Sequence, residues 1–174
     1  IRQALAIQPR WAEAWSNLGL ALLEAGSPAE AESACRQAVE CDPAHHVAFT
    51  NLGEALHVQR RYQEALACFG QALDLKIDHA KAHLGLGRAQ SELGQREAAL
   101  HCFICAVEYQ PDLVSGHFHL GQVLYQMRHL EAAKSALRRA VGLDPRHVKA
   151  HVCLGNVLHQ LRQHDAAIDH YRRA

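Results

Sequence analysis

The sequence predicts an all-α fold, a right-handed superhelical solenoid of antiparallel helix hairpins. Three observations support this prediction: a repeat of fixed period, two helical stripes within each period, and a composition that favours helix. Of the 174 residues, 49% are hydrophobic, whereas only 11 are glycine and 5 are proline. Alanine and leucine are abundant, and both are strong helix formers. No apolar run approaches the roughly 20 residues that a membrane-spanning helix requires.

The period is 34 residues, and it runs along the sequence without an insertion. Proline recurs at positions 9, 43, 111 and 145, with Ile77 at the one exception. Shifting the sequence by one period superimposes five Leu-Gly pairs, which begin at Leu18, Leu52, Leu86, Leu120 and Leu154. Alanine recurs in the same way at positions 31, 65, 99, 133 and 167. Recurrence in several registers at one period indicates an array of stacked repeats.

Each repeat is predicted to contain two helices, A and B, joined by a turn. With each repeat numbered from its first residue, positions 4, 7, 8 and 11 lie on one helical face, and positions 20, 24 and 27 lie on one face of the second helix. The turn falls at position 15, which is Gly26, Arg60, Gly94, Arg128 or Arg162. Proline near the end of a repeat marks where helix B stops. We expect the position-8 glycine to face the position-20 alanine, so that the two helices pack closely.

The same register gives the boundaries of the repeats. Residues 1–11 are predicted to be the end of a preceding helix B. The repeats then cover residues 12–45, 46–79, 80–113, 114–147 and 148–174, and the last is truncated at its position 27. We therefore expect one solenoid domain that is part of a longer protein.

Two further positions connect the pattern to a known family. Position 4 is bulky and holds Trp15, Phe49, His83, His117 and His151. Position 24 is mostly large and holds Cys35, Phe69, Phe103, Leu137 and Tyr171. A bulky residue, Leu-Gly, alanine, an aromatic residue, alanine and proline at a period of 34 resembles the tetratricopeptide repeat over the whole chain. The resemblance implies stacked hairpins whose A helices form a concave wall that holds peptides or partner helices.

The candidate binding residues lie on this wall, at A-helix positions 2, 5, 6, 9, 12 and 13. An amide at position 6 can donate to and accept from a peptide backbone, which points to Asn17 and Asn51. Phe118 and Tyr125 are expected to be exposed aromatic side chains on one face, as in an interface hot spot. The other candidates on the wall are Lys81, Leu84, Arg88, His119, Gln122, Lys149 and Asn156.

The preferred functional interpretation is a non-catalytic scaffold that binds a protein or a peptide, with no cofactor. Cys102 and Cys105 form a Cys-x-x-Cys pair, but a structural zinc site needs a second pair, which the sequence lacks. No catalytic triad, phosphate-binding loop or carboxylate pair emerges. The uninterrupted repeats also resemble arrays that precede the catalytic region of O-linked N-acetylglucosamine transferases. A substrate-recruiting region of such an enzyme therefore stays open as an alternative.

Charge and cysteine content bear on partners and location. The 18 basic and 18 acidic residues cancel, but residues 12–45 hold one basic and six acidic residues, whereas residues 114–147 and 148–174 have net charges of +3 and +2. This asymmetry leaves end-to-end self-association open as a further alternative. Basic residues are not interleaved with aromatic ones, so we expect no nucleic-acid partner, and the lack of a long apolar run predicts no membrane partner. Six cysteines within helical patterns predict free thiols and a cytoplasmic protein.

Overall fold

A computed structural model describes residue 8 and residues 10–174, and within that part it contains ten α-helices and no strand. The chain divides into two compact units at Leu93 and Gly94. Unit 1 contains α1 (Ala12–Glu24), α2 (Pro28–Cys41), α3 (His46–Val58), α4 (Tyr62–Leu75) and α5 (Ala80–Glu92). Unit 2 contains α6 (Arg96–Tyr109), α7 (Val114–Gln126), α8 (Leu130–Leu143), α9 (Val148–Gln160) and α10 (His164–Arg172). The all-α prediction is confirmed, and the predicted tail at residues 1–11 lies largely outside the described residues.

The helices alternate in length as a two-helix repeat requires. The A helices α1, α3, α5, α7 and α9 have 13 residues each. The B helices α2, α4, α6 and α8 have 14 residues each. In unit 1 every helix packs on the next along the chain, and α3 also packs on α1 and on α5. In unit 2 the same order holds from α6 to α10, and α7 packs on α9. Within each unit, the A helices therefore lie side by side.

The turn between helix A and helix B has a left-handed backbone in every hairpin. Gly26 and Gly94 have φ angles of 76° and 75°, and Arg60, Arg128 and Arg162 have φ angles of 61°, 66° and 59°. A residue of this conformation ends a helix and lets the following N–H groups reach the last carbonyls. After Arg60, for example, the N–H of Arg61 donates to the carbonyl of Leu56 at 3.0 Å. A residue other than glycine is strained in this left-handed region of positive φ.

Glycine at position 8 packs against the side chain at position 24. At Gly19 and Gly121 it also lies beside the backbone of the position-20 alanine that it was expected to face. A Cβ atom at Gly53 would lie 2.7 Å from Cε1 of Phe69, whose side chain is 0% exposed. Gly85 on α5 lies against the same ring. At Gly121 the nearest atom of the position-20 residue Ala133 is its backbone oxygen, 3.3 Å from where Cβ would be. The glycines therefore make room for a large side chain between neighbouring helices.

A histidine at position 4 connects each of the A helices α5, α7 and α9 to the turn after the preceding helix B. Nε2 of His83 donates to the carbonyl of Ile77 at 2.8 Å, and Nε2 of His117 donates to the carbonyl of Pro111 at 2.9 Å. His151 makes the corresponding bond, at 3.1 Å, to Pro145. An imidazole at this position therefore takes the place of an aromatic ring and binds a carbonyl of the turn that follows helix B.

Candidate functional site

The A helices expose a narrower stripe than the sequence predicts. Position 5, which was expected on the binding wall, is buried in four of the five A helices, at Ser16, Thr50, Leu84 and Phe118. Of the wall positions on α1, the exposed ones are 2, 6, 9 and 13, which are Glu13, Asn17, Leu20 and Glu24. These four residues, called the α1 stripe below, follow one another at intervals of four, three and four residues and so share one helical face.

The two asparagines at position 6 differ in what they can bind. Asn51 is 8% exposed, and its amide nitrogen donates to the carbonyl and the hydroxyl oxygen of Ser16 at 3.2 and 3.0 Å. This amide therefore holds α3 against α1. Asn17 is exposed, and its side-chain amide makes no hydrogen bond with any other described residue. Of the two amides, only that of Asn17 is unbound by every described residue, although the two occupy equivalent positions in the sequence.

A polar network joins α3 to α5 in unit 1. Nη1 of Arg88 donates to both carboxylate oxygens of Glu54 at 3.0 and 2.8 Å, and Nη2 lies 3.3 Å from Nδ1 of His57. Because the guanidinium can only donate, Nδ1 of His57 is the acceptor and this ring is neutral. Burial, and then the charge of Arg88, lower the pKa of His57. The positive charge of Arg88 is thus compensated inside the protein, whereas Lys81 on α5 is exposed.

The aromatic candidates of unit 2 are less exposed than predicted. Phe118 is only 7% exposed and belongs to the hydrophobic core, with its ring centroid 5.0 Å from that of His147. The expectation of an exposed Phe118 is therefore wrong, because position 5 packs inside the stack. Tyr125 is half-buried, and its hydroxyl accepts a hydrogen bond of 2.8 Å from Nε2 of Gln160. Phe118 can position neighbouring side chains, but it offers little surface to a partner.

The polar candidates of unit 2 are held mainly by intramolecular contacts. The ring of His119 stacks on Phe103 with a centroid distance of 5.5 Å. Oδ1 of Asn156 accepts a hydrogen bond of 2.8 Å from the hydroxyl of Tyr171. Gln122 is half-buried, and Lys149 is exposed on α9. The structure thus brings none of these groups together as a cluster of free donors and acceptors.

Sequence reasoning did not single out Glu13, Leu20, Glu24 or Val58. Leu20 is 43% exposed on α1, and Val58, at position 13 of the neighbouring helix α3, is 56% exposed. The signal was present, because all four residues occupy positions 2, 9 and 13 of the predicted wall. The register places these residues on the wall, but it does not show which wall positions stay exposed.

All six cysteines are free. Burial raises the pKa of Cys35 to about 12 and the pKa values of Cys68 and Cys102 to about 11. Thiols with such pKa values are protonated at neutral pH and are poor nucleophiles.

Among residues 8 and 10–174, no three His, Cys, Asp or Glu side chains are grouped so that they could hold a metal ion. In the same part of the chain, no helix has the length and apolar character that crossing a bilayer requires.

The fold is shared with several solved structures. MamA, from residue 41 to its end, of Desulfovibrio magneticus RS-1 is 26% identical over 93% of this chain and 92% of that chain, with a TM-score of 0.77. The pilF protein of Pseudomonas aeruginosa is 22% identical over 93% of this chain and 74% of that chain, with a TM-score of 0.86. YrrB, described as a TPR protein with an unusual peptide-binding site, is 22% identical over 99% of this chain and 89% of that chain, with a TM-score of 0.72.

Family models agree with this likeness. A model described as tetratricopeptide repeat matches residues 1–46 and 118–174, and two further models of the same description match residues 34–67 and 80–113. A comparison with curated proteins finds no match. This chain belongs to the tetratricopeptide repeat family, whose members act as protein-interaction scaffolds.

Proposed function

We propose that this chain binds an extended peptide, or an extended segment of a partner protein, across the exposed positions of its A helices. The observation that carries the proposal is the pairing of Asn17 and Leu20 on the α1 stripe. Asn17 offers two donors and an acceptor that no described residue uses, and Leu20 lies one turn further along with nearly half of its surface exposed. A free amide beside an exposed apolar side chain suits a peptide backbone and one anchoring side chain. YrrB, with its peptide-binding site, supports this use of the fold.

The other predicted residues take different parts in this proposal. Asn51, Leu84 and Phe118 are buried, so they position the A helices rather than touch the partner. Arg88 acts with Glu54 as a fixed polar element of the wall. The exposed or half-buried candidates are contact residues, and they are Lys81, His119, Gln122, Tyr125, Lys149 and Asn156.

A selection from random displayed peptides tests the proposal without assuming a sequence. We expect the folded chain to enrich binding peptides, and the double variant Asn17→Ala/Leu20→Ala to bind the enriched peptides about tenfold more weakly, which corresponds to about 1.4 kcal/mol. Gln71→Ala, an exposed change on the B helix α4, is the control and should leave binding unchanged. Failure to enrich any peptide, or equal binding by the double variant, would refute the proposal.

End-to-end self-association is a second candidate, favoured by charge and by exposed apolar side chains. Residues 12–45 have a net charge of −5, and residues 114–174, with nine basic and four acidic residues, have a net charge of +5. Val148, Ile168 and Tyr171 on α9 and α10 are exposed. Sedimentation velocity at rising protein concentration should then show dimers or larger species that dissociate as salt is added. A monomer at every concentration would exclude this candidate.

A further inference from the structure

Two hydrogen bonds join three side chains near the ends of the A helices α7 and α9 in unit 2. Nη1 of Arg128 donates to Oε1 of Gln160 at 2.9 Å. Nε2 of the same amide donates to the hydroxyl oxygen of Tyr125 at 2.8 Å. Tyr125 lies in the last turn of α7, Arg128 lies in the turn after it, and Gln160 is the last residue of α9. These three residues, called the Arg128 cluster below, therefore connect two neighbouring A helices.

The direction of these bonds leaves mainly donors unused in the Arg128 cluster. A guanidinium can only donate, so Oε1 of Gln160 is the acceptor and its Nε2 is the donor. The hydroxyl oxygen of Tyr125 accepts from this Nε2, and no described residue accepts a hydrogen bond from the hydroxyl group itself. The remaining N–H groups of Arg128, the second N–H of Gln160 and the O–H of Tyr125 are thus available to an acceptor from outside.

The exposure of the Arg128 cluster follows from its place in the repeat. Position 13, which holds Gln160, is exposed on all five A helices, and position 15, which holds Arg128, is exposed in all five turns. Helix α3 has an A helix packed on each side, and its position-13 residue Val58 is exposed all the same. Tyr125 at position 12 is half-buried, like the residues at position 12 of α3 and α5. Further A helices in the stack therefore leave these positions open to a ligand.

The charge of Arg128 is not compensated by a carboxylate. Neither α7 nor α9 contains an acidic residue, and Arg128 forms no ion pair within the described part of the chain. In unit 1, by contrast, Arg88 is paired with Glu54. Unit 2 as a whole holds ten basic and seven acidic residues, a net charge of +3. A negatively charged group that reaches Arg128 is therefore attracted to it.

Acidic residues do lie at the same end of the hairpins, but they belong to the B helices. They stand in the first turns of α6, α8 and α10, at Glu97, Glu131 and Asp165. Glu131 is paired with Lys134. Glu97 directly follows Arg96, and Asp165 lies three residues after Arg162. Each of these carboxylates thus has a basic residue of its own close by in the sequence, and none accepts a hydrogen bond from the Arg128 cluster.

We propose that the Arg128 cluster binds the carboxylate of an Asp or Glu side chain in an acidic segment of a protein partner. This inference rests on the proposed function and specifies the chemistry of one contact. An ionised carboxylate has acceptors only, and a guanidinium offers it paired N–H groups, so the ligand matches the unused donors of the cluster. The equivalent residues of unit 1 are His57, Arg60 and Glu92. Because Glu92 stands there in place of the Gln160 amide, its charge repels such a ligand, and we expect the contact in unit 2.

Arg128→Gly is a suitable test because the change suits the backbone. Arg128 has a φ angle of 66°, and Gly26 and Gly94 occupy the same position in other turns. The variant should therefore be at least as stable as the unaltered protein, so that a loss of binding does not arise from unfolding. Arg60→Gly is the matched control, since it makes the same change at a φ angle of 61° in unit 1.

The peptide selection described above is then repeated with synthetic copies of the enriched peptides. We expect peptides that contain Asp or Glu to bind Arg128→Gly about tenfold more weakly and Tyr125→Phe about threefold more weakly. Arg60→Gly should leave binding within about twofold. Changing the acidic residue of the peptide to its amide should weaken binding to the unaltered protein but have little further effect on binding to Arg128→Gly.

The inference is overturned if no enriched peptide binds Arg128→Gly more weakly, or if the peptides that do so lack an acidic residue. Equal losses for Arg128→Gly and Arg60→Gly would also overturn it, because they would indicate a general effect of charge. If Asn17→Ala/Leu20→Ala still weakens binding in either case, the proposed function stands without this contact. If no peptide is enriched, the proposed function fails, and this inference fails with it.

Discussion

Replacing Gly53 by alanine tests the packing that sets the spacing of the helices. The added Cβ atom would lie 2.7 Å from Cε1 and 2.9 Å from both Cδ1 and Cζ of Phe69, closer than real Cβ atoms approach. The ring cannot move freely, because it is fully buried and also lies against Gly85 on α5. Overpacking of a well-filled core costs about 1–3 kcal/mol. Alanine returns about 1 kcal/mol through its higher helix propensity.

The expected net effect of Gly53→Ala is a loss of up to about 2 kcal/mol in the free energy of unfolding. For a chain of this size the thermal midpoint should fall by up to about 8 °C, measured by circular dichroism. Gly70 provides the matched control, since it also lies within a helix, α4, but a Cβ atom there would meet nothing within 4 Å. Gly70→Ala should therefore gain up to about 1 kcal/mol.

A double-mutant cycle identifies the contact responsible. In a Phe69→Ala background the ring is gone, so Gly53→Ala should become neutral or stabilising, even though Phe69→Ala itself costs about 3–5 kcal/mol. If Gly53→Ala is as stabilising as Gly70→Ala in the unaltered protein, the glycine is not required for packing. If the cost of Gly53→Ala persists without the ring, Phe69 is not the obstacle.

Three further predictions concern single side chains. Asn51→Ala should lower the free energy of unfolding by about 1–2 kcal/mol, because it removes the buried hydrogen bonds to Ser16. Asn17→Ala should change that free energy by less than about 0.5 kcal/mol. Urea denaturation measures both variants, and equal effects would contradict the different roles assigned to the two amides. Burial, and then the charges of His46, Lys76 and Lys81, lower the pKa of His79 to about 4 from an ordinary value of 6.5, so the folded state resists protonation and stability should fall as the pH falls from about 6.5 to about 4. His79→Asn, which places an amide that cannot titrate at the N-cap position of α5, should lose less stability over that range, and an identical pH profile would refute the assignment. Arg60→Gly should raise the free energy of unfolding by about 0.5–1 kcal/mol, because glycine adopts the positive φ angle without strain, and Gly94→Ala should lower it. Thermal denaturation with shifts of the opposite signs would show that these turns are not strained.

The fold could be predicted almost entirely from the period, because a repeat array specifies the same two helices many times over. Helices α1 to α10 fall where the register of Leu-Gly, alanine and proline predicts them. The contact made by Gly53 could not be predicted in the same way. The period places Gly53 and Phe69 on the faces of α3 and α4 that pack together. Only the structure shows that the phenyl ring, rather than the alanine at position 20, fills the space beside Gly53.

The candidate site was harder to predict, because equivalent positions in a repeat do not have equivalent neighbours. The side chain at position 6 lies beside position 5 of the preceding A helix, as the bond from Asn51 to Ser16 shows. Where position 5 is serine, an asparagine at position 6 is drawn into a hydrogen bond. In unit 2 position 5 is Phe118, and Cys153 at position 6 of the next A helix packs against the core that contains this ring. The identity of one buried residue thus decides whether the next exposed position is free to bind, and the periodic pattern carries no information about that pairing.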